Sequence, residues 1–263
     1  MRAYIINLDS ATDRWSHMQS AFLQTDLEPV RVPAINGGTI EFPSRDFDEA
    51  RYRRLHGRVA NGYEVGCYLS HLKALTAFLA TEEEHALICE DDLVIGANLP
   101  EVLRDCLRYA RYWNVLRVAG LSTGRAMKVA DLPSGGSLCV NAGRMKGAGA
   151  YVVDRAAARA FVEHLLPMWL PYDHAFDREW CYGLRCLSVL PFPISQTDGL
   201  FRSSIQKSSG ARLPRLGRWL GTYPYQVGNE VSRWFHRITY FASLSYRLAS
   251  GNTGPLRIWK AAQ

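Results

Sequence analysis

What this 263-residue chain lacks narrows its chemistry. No apolar stretch approaches the roughly 20 residues that cross a bilayer as a helix. The first apolar run, Ala3-Tyr4-Ile5-Ile6, is cut short by Asn7 and Asp9. The expectation is a cytoplasmic chain with neither a secretory signal nor a spanning helix. The six cysteines are scattered with no Cys-x-x-Cys pair, which argues against zinc and for reduced thiols used as small apolar side chains. Absence of a Gly-x-x-x-x-Gly-Lys-Ser/Thr loop excludes P-loop phosphoryl transfer, and absence of Gly-x-Ser-x-Gly excludes a nucleophile elbow. Gly147-Ala148-Gly149 precedes a strand instead of joining strand to helix, so it is not a dinucleotide fingerprint. Acid is almost missing from the last quarter. Residues 201–263 hold ten Lys/Arg against the single acid Glu230, a net +9, and the chain total of +6 leaves the first 200 residues at −3.

What is present reads as an ordinary globular composition, 48% hydrophobic and 21% charged, with ample length for a core. Strand-like runs at residues 3–8, 27–34, 86–89, 115–118, 150–153 and 187–190 alternate with helical patterns. Ser10 is placed to cap a helix carrying Trp15, Met18 and Phe22. Val65, Leu69, Leu72, Leu75 and Leu79 make a second stripe, and Asp154 heads a third helix. Residues 36–62 read as a long loop with one helical turn, and residues 120–149 as a mobile Gly- and Ser-rich segment. Strands alternating with helices predict an α/β fold with a mainly parallel central sheet. A linker near 207–210 divides the chain into residues 1–207 and a basic, aromatic helical segment, 208–263.

The informative stretch is Ala86-Leu87-Ile88-Cys89-Glu90-Asp91-Asp92, an apolar run ending in three carboxylates. Like charges this close repel, and burial disfavours their ionised forms. Alternation along a strand directs Glu90 and Asp92 together and Asp91 away. Such a pair suits Mn²⁺ or Mg²⁺ held through oxygen ligands beside nucleotide phosphates. The other reading is a solvated loop. Open α/β sheets bind ligands at the carboxyl ends of their strands, where these acids fall.

Four segments together resemble glycosyltransferase family 25: residues 5–14 (Ile-Ile-Asn-Leu-Asp-Ser-Ala-Thr-Asp-Arg), 62–72 (Gly-Tyr-Glu-Val-Gly-Cys-Tyr-Leu-Ser-His-Leu), 87–92, and 147–173 ending in Pro171-Tyr172-Asp173. The resemblance runs over about residues 1–205 and leaves the basic tail outside. It implies a GT-A-like, Rossmann-type nucleotide-binding domain using a divalent metal and a UDP-sugar. It also implies transfer, with inversion, to a lipid-linked lipopolysaccharide or lipooligosaccharide acceptor. Galactose is the simplest donor sugar.

Carried onto this sequence, the resemblance implies that Asn7, Asp9 and Arg14 bound the uridine pocket. Ser70 and His71 would face ribose or sugar, Asp91 would contact the donor, and Glu90 and Asp92 would hold the metal and diphosphate. Glu90 stands where many GT-A enzymes carry Asp. That departure keeps two other classes open: a catalytically silent glycan- or nucleotide-binding scaffold, and a metal-dependent nucleotide-sugar hydrolase. An inverting transfer needs a carboxylate to take the acceptor's proton. Asp173 is the candidate, with His174 and Asp177 behind it, and its alternative is a plain helix N-cap. Gln196, Ser203 and Ser204 would supply a further donor contact. The basic residues interleaved with aromatics in 208–263 suit an anionic membrane surface, on the inner face of the cytoplasmic membrane, better than nucleic acid; the other reading is an ordinary solvated tail.

Overall fold

The computed structural model describes residues 1–197 and 211–251. Its centre is an eight-stranded sheet of order β2-β1-β3-β8-β5-β9-β7-β6. The strands are β1 (Arg2–Asn7), β2 (Glu28–Pro33), β3 (His85–Glu90), β5 (Val115–Arg117), β6 (Ala126–Asp131), β7 (Ser137–Asn141), β8 (Ala150–Asp154) and β9 (Cys186–Leu190). Six of the eight run in one direction; β8 and β7 are inserted against it. A two-stranded ribbon, β4 (Leu93–Ile95) with β10 (Ile194–Gln196), stands apart from the sheet.

Alternation on the strands builds two cores. Tyr4, Ile6, Ile88 and Val153 face α3 (Gly62–Leu79), α5 (Arg155–His164) and α6 (Tyr172–Phe176). Ala3, Ile5, Leu87 and Val152 face α1 (Thr12–Phe22) and α4 (Leu99–Leu107). Helices on both faces of a predominantly one-way sheet make this a mixed α/β fold.

Local structure departs from the sequence expectation at several places. Ser10 does not cap α1; Ala11 takes that position with no side-chain bond. The 36–62 segment contains α2 (Glu49–His56), capped by Asp48 at its start and ended by Gly57 at φ +78°. The 120–149 segment is not a loose loop, because β6 and β7 form a hairpin on the sheet edge. Polar alternation along Ala126–Asp131 hid this edge strand. Asp154 does cap α5, accepting from the Ala157 N–H at 2.7 Å. All six cysteines are free thiols.

The sequence sets residues 208–263 apart as an appendage, yet the described part is docked on the body. A short turn, α7 (Arg215–Gly217), leads through Arg218–Thr222 into the 28-residue α8 (Tyr223–Ser250). Tyr240 and Leu244 of α8 enter the second core. Among the described residues no helix is long and apolar enough to cross a membrane.

Candidate active site

The site forms where β1 and β3 end side by side, in the register Ile6 opposite Glu90. Asn7 is fully buried there and its capacity is spent. Its Nδ2 donates to the Ala11 carbonyl (2.9 Å) and to Asp91 Oδ2 (2.7 Å), and its Oδ1 accepts from Arg31 Nε at 2.8 Å. Arg14 Nη1 donates to Asp91 Oδ1 at 3.0 Å. Asp91 follows the last residue of β3, in a bend with Asp92, and is held there by Asn7 and Arg14. Strand alternation, which would pair Glu90 with Asp92, stops short of these two acids. Asp9 lies at the exposed rim, ion-paired to Arg31 at 2.9 Å. Asn7 and Asp91 therefore position the end of β3, and Arg31, missed in the sequence because it reads as an ordinary strand charge, ties the group together.

Glu90 closes β3, its N–H donating to the Gly149 carbonyl at 2.8 Å. Its Oε1 lies 3.5 Å from His71 Nε2. His71 is 1% exposed and sits behind Glu90. Its ring stacks on Tyr172 at 4.0 Å, and its Nδ1 meets Tyr151 Oη at 3.1 Å. Tyr151 Oη and Tyr172 Oη are 2.7 Å apart. Ser70 is likewise structural: its Oγ accepts from Ile35 N (2.8 Å) and donates to the Gly66 carbonyl (2.6 Å). One turn before His71, Cys67 brings its sulfur inward. The ligand atoms of Cys67, His71 and Glu90 all lie within 4.8 Å of one another. Burial, then the charges of Glu90, Asp173, Asp92 and Glu64, push the Cys67 thiol well up. Cys67 was legible only as a packing residue, because helical position i−4 from His71 also suits a core.

Asp92 carries the plainest electrostatic signal. Burial, then the charges of Glu90 and Asp91, push its carboxyl up to about 6. Its Oδ1 is buried with no hydrogen-bond partner. Its backbone is clamped: Thr197 N and Thr197 Oγ1 both donate to the Asp92 carbonyl at 3.1 Å. Gln196, exposed in β10, pairs in register with Leu93 and so lies beside this acid, whereas Ser203 and Ser204 lie outside the described residues. An orphaned, charge-repelled carboxylate oxygen beside a second carboxylate is the donor chemistry that a hard divalent cation satisfies, so these residues fit such an ion.

Asp173 belongs to the same electrostatic field, since it acts on Cys67 together with Glu90 and Asp92. It does not cap α6. Pro171 holds that position, and Asp173 lies within the helix with its side chain 29% exposed. Its Oδ2 accepts from the Gly147 N–H at 3.4 Å and lies 4.0 Å from Arg144 Nη2. Gly147 adopts φ +80°, the left-handed region that glycine enters without strain, so the lone Gly-x-Gly presents a backbone N–H to Asp173. His174 Nε2 is hydrogen-bonded by Arg144, and burial, then the Arg144 charge, lowers it to about 3. It stays neutral.

Asp177 is no alternative to Asp173 as a base. It has no exposure and is surrounded by three arginines: Arg117 (3.1 Å), Arg237 (2.9 Å) and Arg233 (3.1 Å). The Arg233 contact is an ion contact without hydrogen-bond alignment. Burial pushes Asp177 up, but the arginines outweigh it and hold the carboxyl below its ordinary value. Arg117 also donates to the Gly147 carbonyl at 2.8 Å, and Arg237 pairs with Glu179 at 2.8 Å. The knot fixes both α6 and the Gly147 turn that contacts Asp173. Two of its arginines come from α8, at a spacing of four on one helix face. Beside it lies a cavity of about 310 Å³ lined by Arg144, His174, Tyr225, Asn229 and Arg233 among others. Tyr225 Oη and Arg144 Nε are buried there with no hydrogen-bond partner.

Comparison with known proteins bears on this arrangement. Two solved structures are similar only at low level. "Crystal Structure of A197 from STIV" has TM-score 0.39 and 15% identity, covering 78% of this chain and 98% of that one. The inositol-1-phosphate CTP transferase from T. maritima has TM-score 0.38 and 13% identity, covering 79% and 94%. Neither bears on the chemistry of the site. No curated protein matches the chain. The family profile for glycosyltransferase family 25, described as LPS biosynthesis protein, matches residues 1–176, a span that includes Asn7, His71, the Glu90-Asp91-Asp92 run and Asp173. By that match the chain belongs to glycosyltransferase family 25.

Proposed function

We propose that this family 25 glycosyltransferase moves one sugar, galactose in the simplest case, from a UDP-sugar to a lipopolysaccharide or lipooligosaccharide core acceptor, with inversion at the anomeric carbon. Glu90 and Asp92 would hold Mn²⁺ or Mg²⁺ against the donor diphosphate. The observation that carries the reading is Asp92 Oδ1, buried and unpartnered beside Glu90 at the carboxyl end of β3. A bound divalent cation would offset the charge that develops on the departing diphosphate.

The protein's own groups divide the remaining work. Asn7 and Arg14 hold Asp91, and Arg31 holds Asn7, which keeps the β3 end in place. His71, locked between Tyr151 and Tyr172, backs Glu90. Asp173 takes the proton from the acceptor hydroxyl as its oxygen attacks. The Gly147 N–H and the nearby Arg144 orient that carboxylate. The cavity beside α6, with its unspent Tyr225 and Arg144 groups among apolar walls, offers the acceptor a place to hydrogen-bond.

The test is UDP release from a panel of UDP-sugars, with Mn²⁺ or with EDTA, and with or without a truncated lipooligosaccharide. Metal-dependent release from one donor, raised by the acceptor, is the expected result. Release at full rate with water alone would make the chain a nucleotide-sugar hydrolase. No release under any condition, with the donor still bound, would make it a binding scaffold.

A further inference from the structure

Helix α8 has two opposed faces. Arg233, Arg237, Tyr240 and Leu244 are buried against the body. On the other side Val227, Val231, Phe235, Ile238 and Tyr246 are exposed, Phe235 by 64% and Tyr246 by 70%. At 3.6 residues per turn these five fall within an arc of about 100°, centred opposite the buried set. Glu230, Arg233, Arg237 and Arg247, the charged residues of α8, all lie outside that arc. The turn before α8 extends the apolar surface with Leu216, Trp219 and Leu220, the last 78% exposed. A folded protein rarely leaves so long a run of large apolar side chains in water without a use for it.

We infer that this outward face of α8 is a docking surface for an anionic lipid bilayer, on which the helix lies in the plane of the membrane. Charge selects this occupant. Residues 211–251 contain six arginines and one acid, and that acid, Glu230, is paired with Arg233. Arg212 and Arg215 are exposed at the start of the apolar run, and Lys207, Arg257 and Lys260 flank the described segment in sequence. A second copy of the chain would bring like charges together at the ends of the helix, whereas anionic headgroups would neutralise them. Trp219 and Tyr246 stand near the two ends of the stripe, where rings with one polar edge suit the headgroup layer. Burying an apolar face while basic flanks meet headgroups is how an interfacial helix binds without spanning. The ion knot of Arg233 and Arg237 with Asp177 would orient the body over the surface. This inference stands on α8 and the turn before it, and holds whichever sugar is transferred.

The test is flotation of the full chain with vesicles of phosphatidylcholine alone and of equal parts phosphatidylcholine and phosphatidylglycerol, at physiological salt. The expected result is binding to the anionic vesicles only. The double variant Val231→Asp/Phe235→Asp should lose at least tenfold in binding while keeping the wild-type melting temperature, because both side chains face outward. Arg212→Gln/Arg215→Gln should weaken binding and flatten its salt dependence. Leu23→Asp, at an equally exposed apolar side chain on another element, should change nothing. Wild-type protein that stays with neither vesicle overturns the inference. So does binding that survives Val231→Asp/Phe235→Asp, or a wild-type dimer that this variant converts to monomers without affecting flotation.

Discussion

Asp92→Asn should make the metal-free protein more stable at neutral pH while abolishing its metal response. The Asp92 carboxyl titrates at about 6 in the folded chain, against an ordinary 3.8. Its folded value is raised, so between these two values the native state binds the extra proton. Stability from this group is fully present below about pH 4 and is lost as pH rises to about 6. A displacement of about two units at about 1.4 kcal/mol each leaves a deficit of about 3 kcal/mol at pH 7. Asparagine keeps the shape and removes the charge. Urea unfolding in EDTA, followed by tryptophan fluorescence, should show the variant about 2–3 kcal/mol more stable than wild type at pH 7, with the gap closing towards about pH 4.5. Adding Mn²⁺ at a hundred times its dissociation constant should restore about 2.7 kcal/mol to the wild type and almost nothing to the variant. A difference that does not vary with pH, or a variant less stable at pH 7, would refute the view that Asp92 is an uncompensated buried charge.

Three further outcomes follow from the geometry. Asp173→Asn should lower kcat by about 10²–10⁴-fold with donor affinity unchanged, as loss of a general base does; near-normal kcat in single-turnover assays would remove Asp173 from that role. Arg237→Met removes the ion pair of Glu179 and one of the three arginines around Asp177, both carboxylates almost fully buried, and should cost about 3–5 kcal/mol in denaturant titration. A loss below about 1 kcal/mol would mean that water reaches the knot. His56 and His174, their rings 4.9 Å apart, are both lowered to about 3, chiefly by burial. Their folded values lie below the ordinary 6.5, so the stability they allow above about pH 6.5 is lost as pH falls towards 3. His56→Gln should flatten that acid-side slope, and an unchanged slope would show the imidazole to be solvated.

The linear sequence determined the features set by neighbours along the chain. The apolar run into Glu90-Asp91-Asp92 is a strand ending in acids, but the strand stops at Glu90 and a bend, which period-two alternation does not govern, carries Asp91 and Asp92. Val65, Leu72 and Leu75 specify the buried face of α3, and Asp154 marks the start of α5. Residues 5–14, 62–72 and 87–92 were enough to indicate the family. Tertiary structure decided everything that depends on what stands opposite. Ser70 and His71 look like ligand contacts in sequence; in the fold Ser70 Oγ bonds Ile35 N and the Gly66 carbonyl, while His71 meets Tyr151 through Nδ1 and turns Nε2 towards Glu90. Asp173 and Asp177 are alike in sequence. One stays accessible beside a glycine N–H, and the other is enclosed by arginines from β5 and α8, 60 or fewer residues away in either direction. Sequence charge made the last quarter a basic tail, while folding buried Arg233 and Arg237 beside the site and turned Val231 and Phe235 outward. The physical reason is common to these cases: periodicity reports which face a residue occupies, but desolvation and ion pairing depend on partners that only the assembled fold brings within a few ångströms.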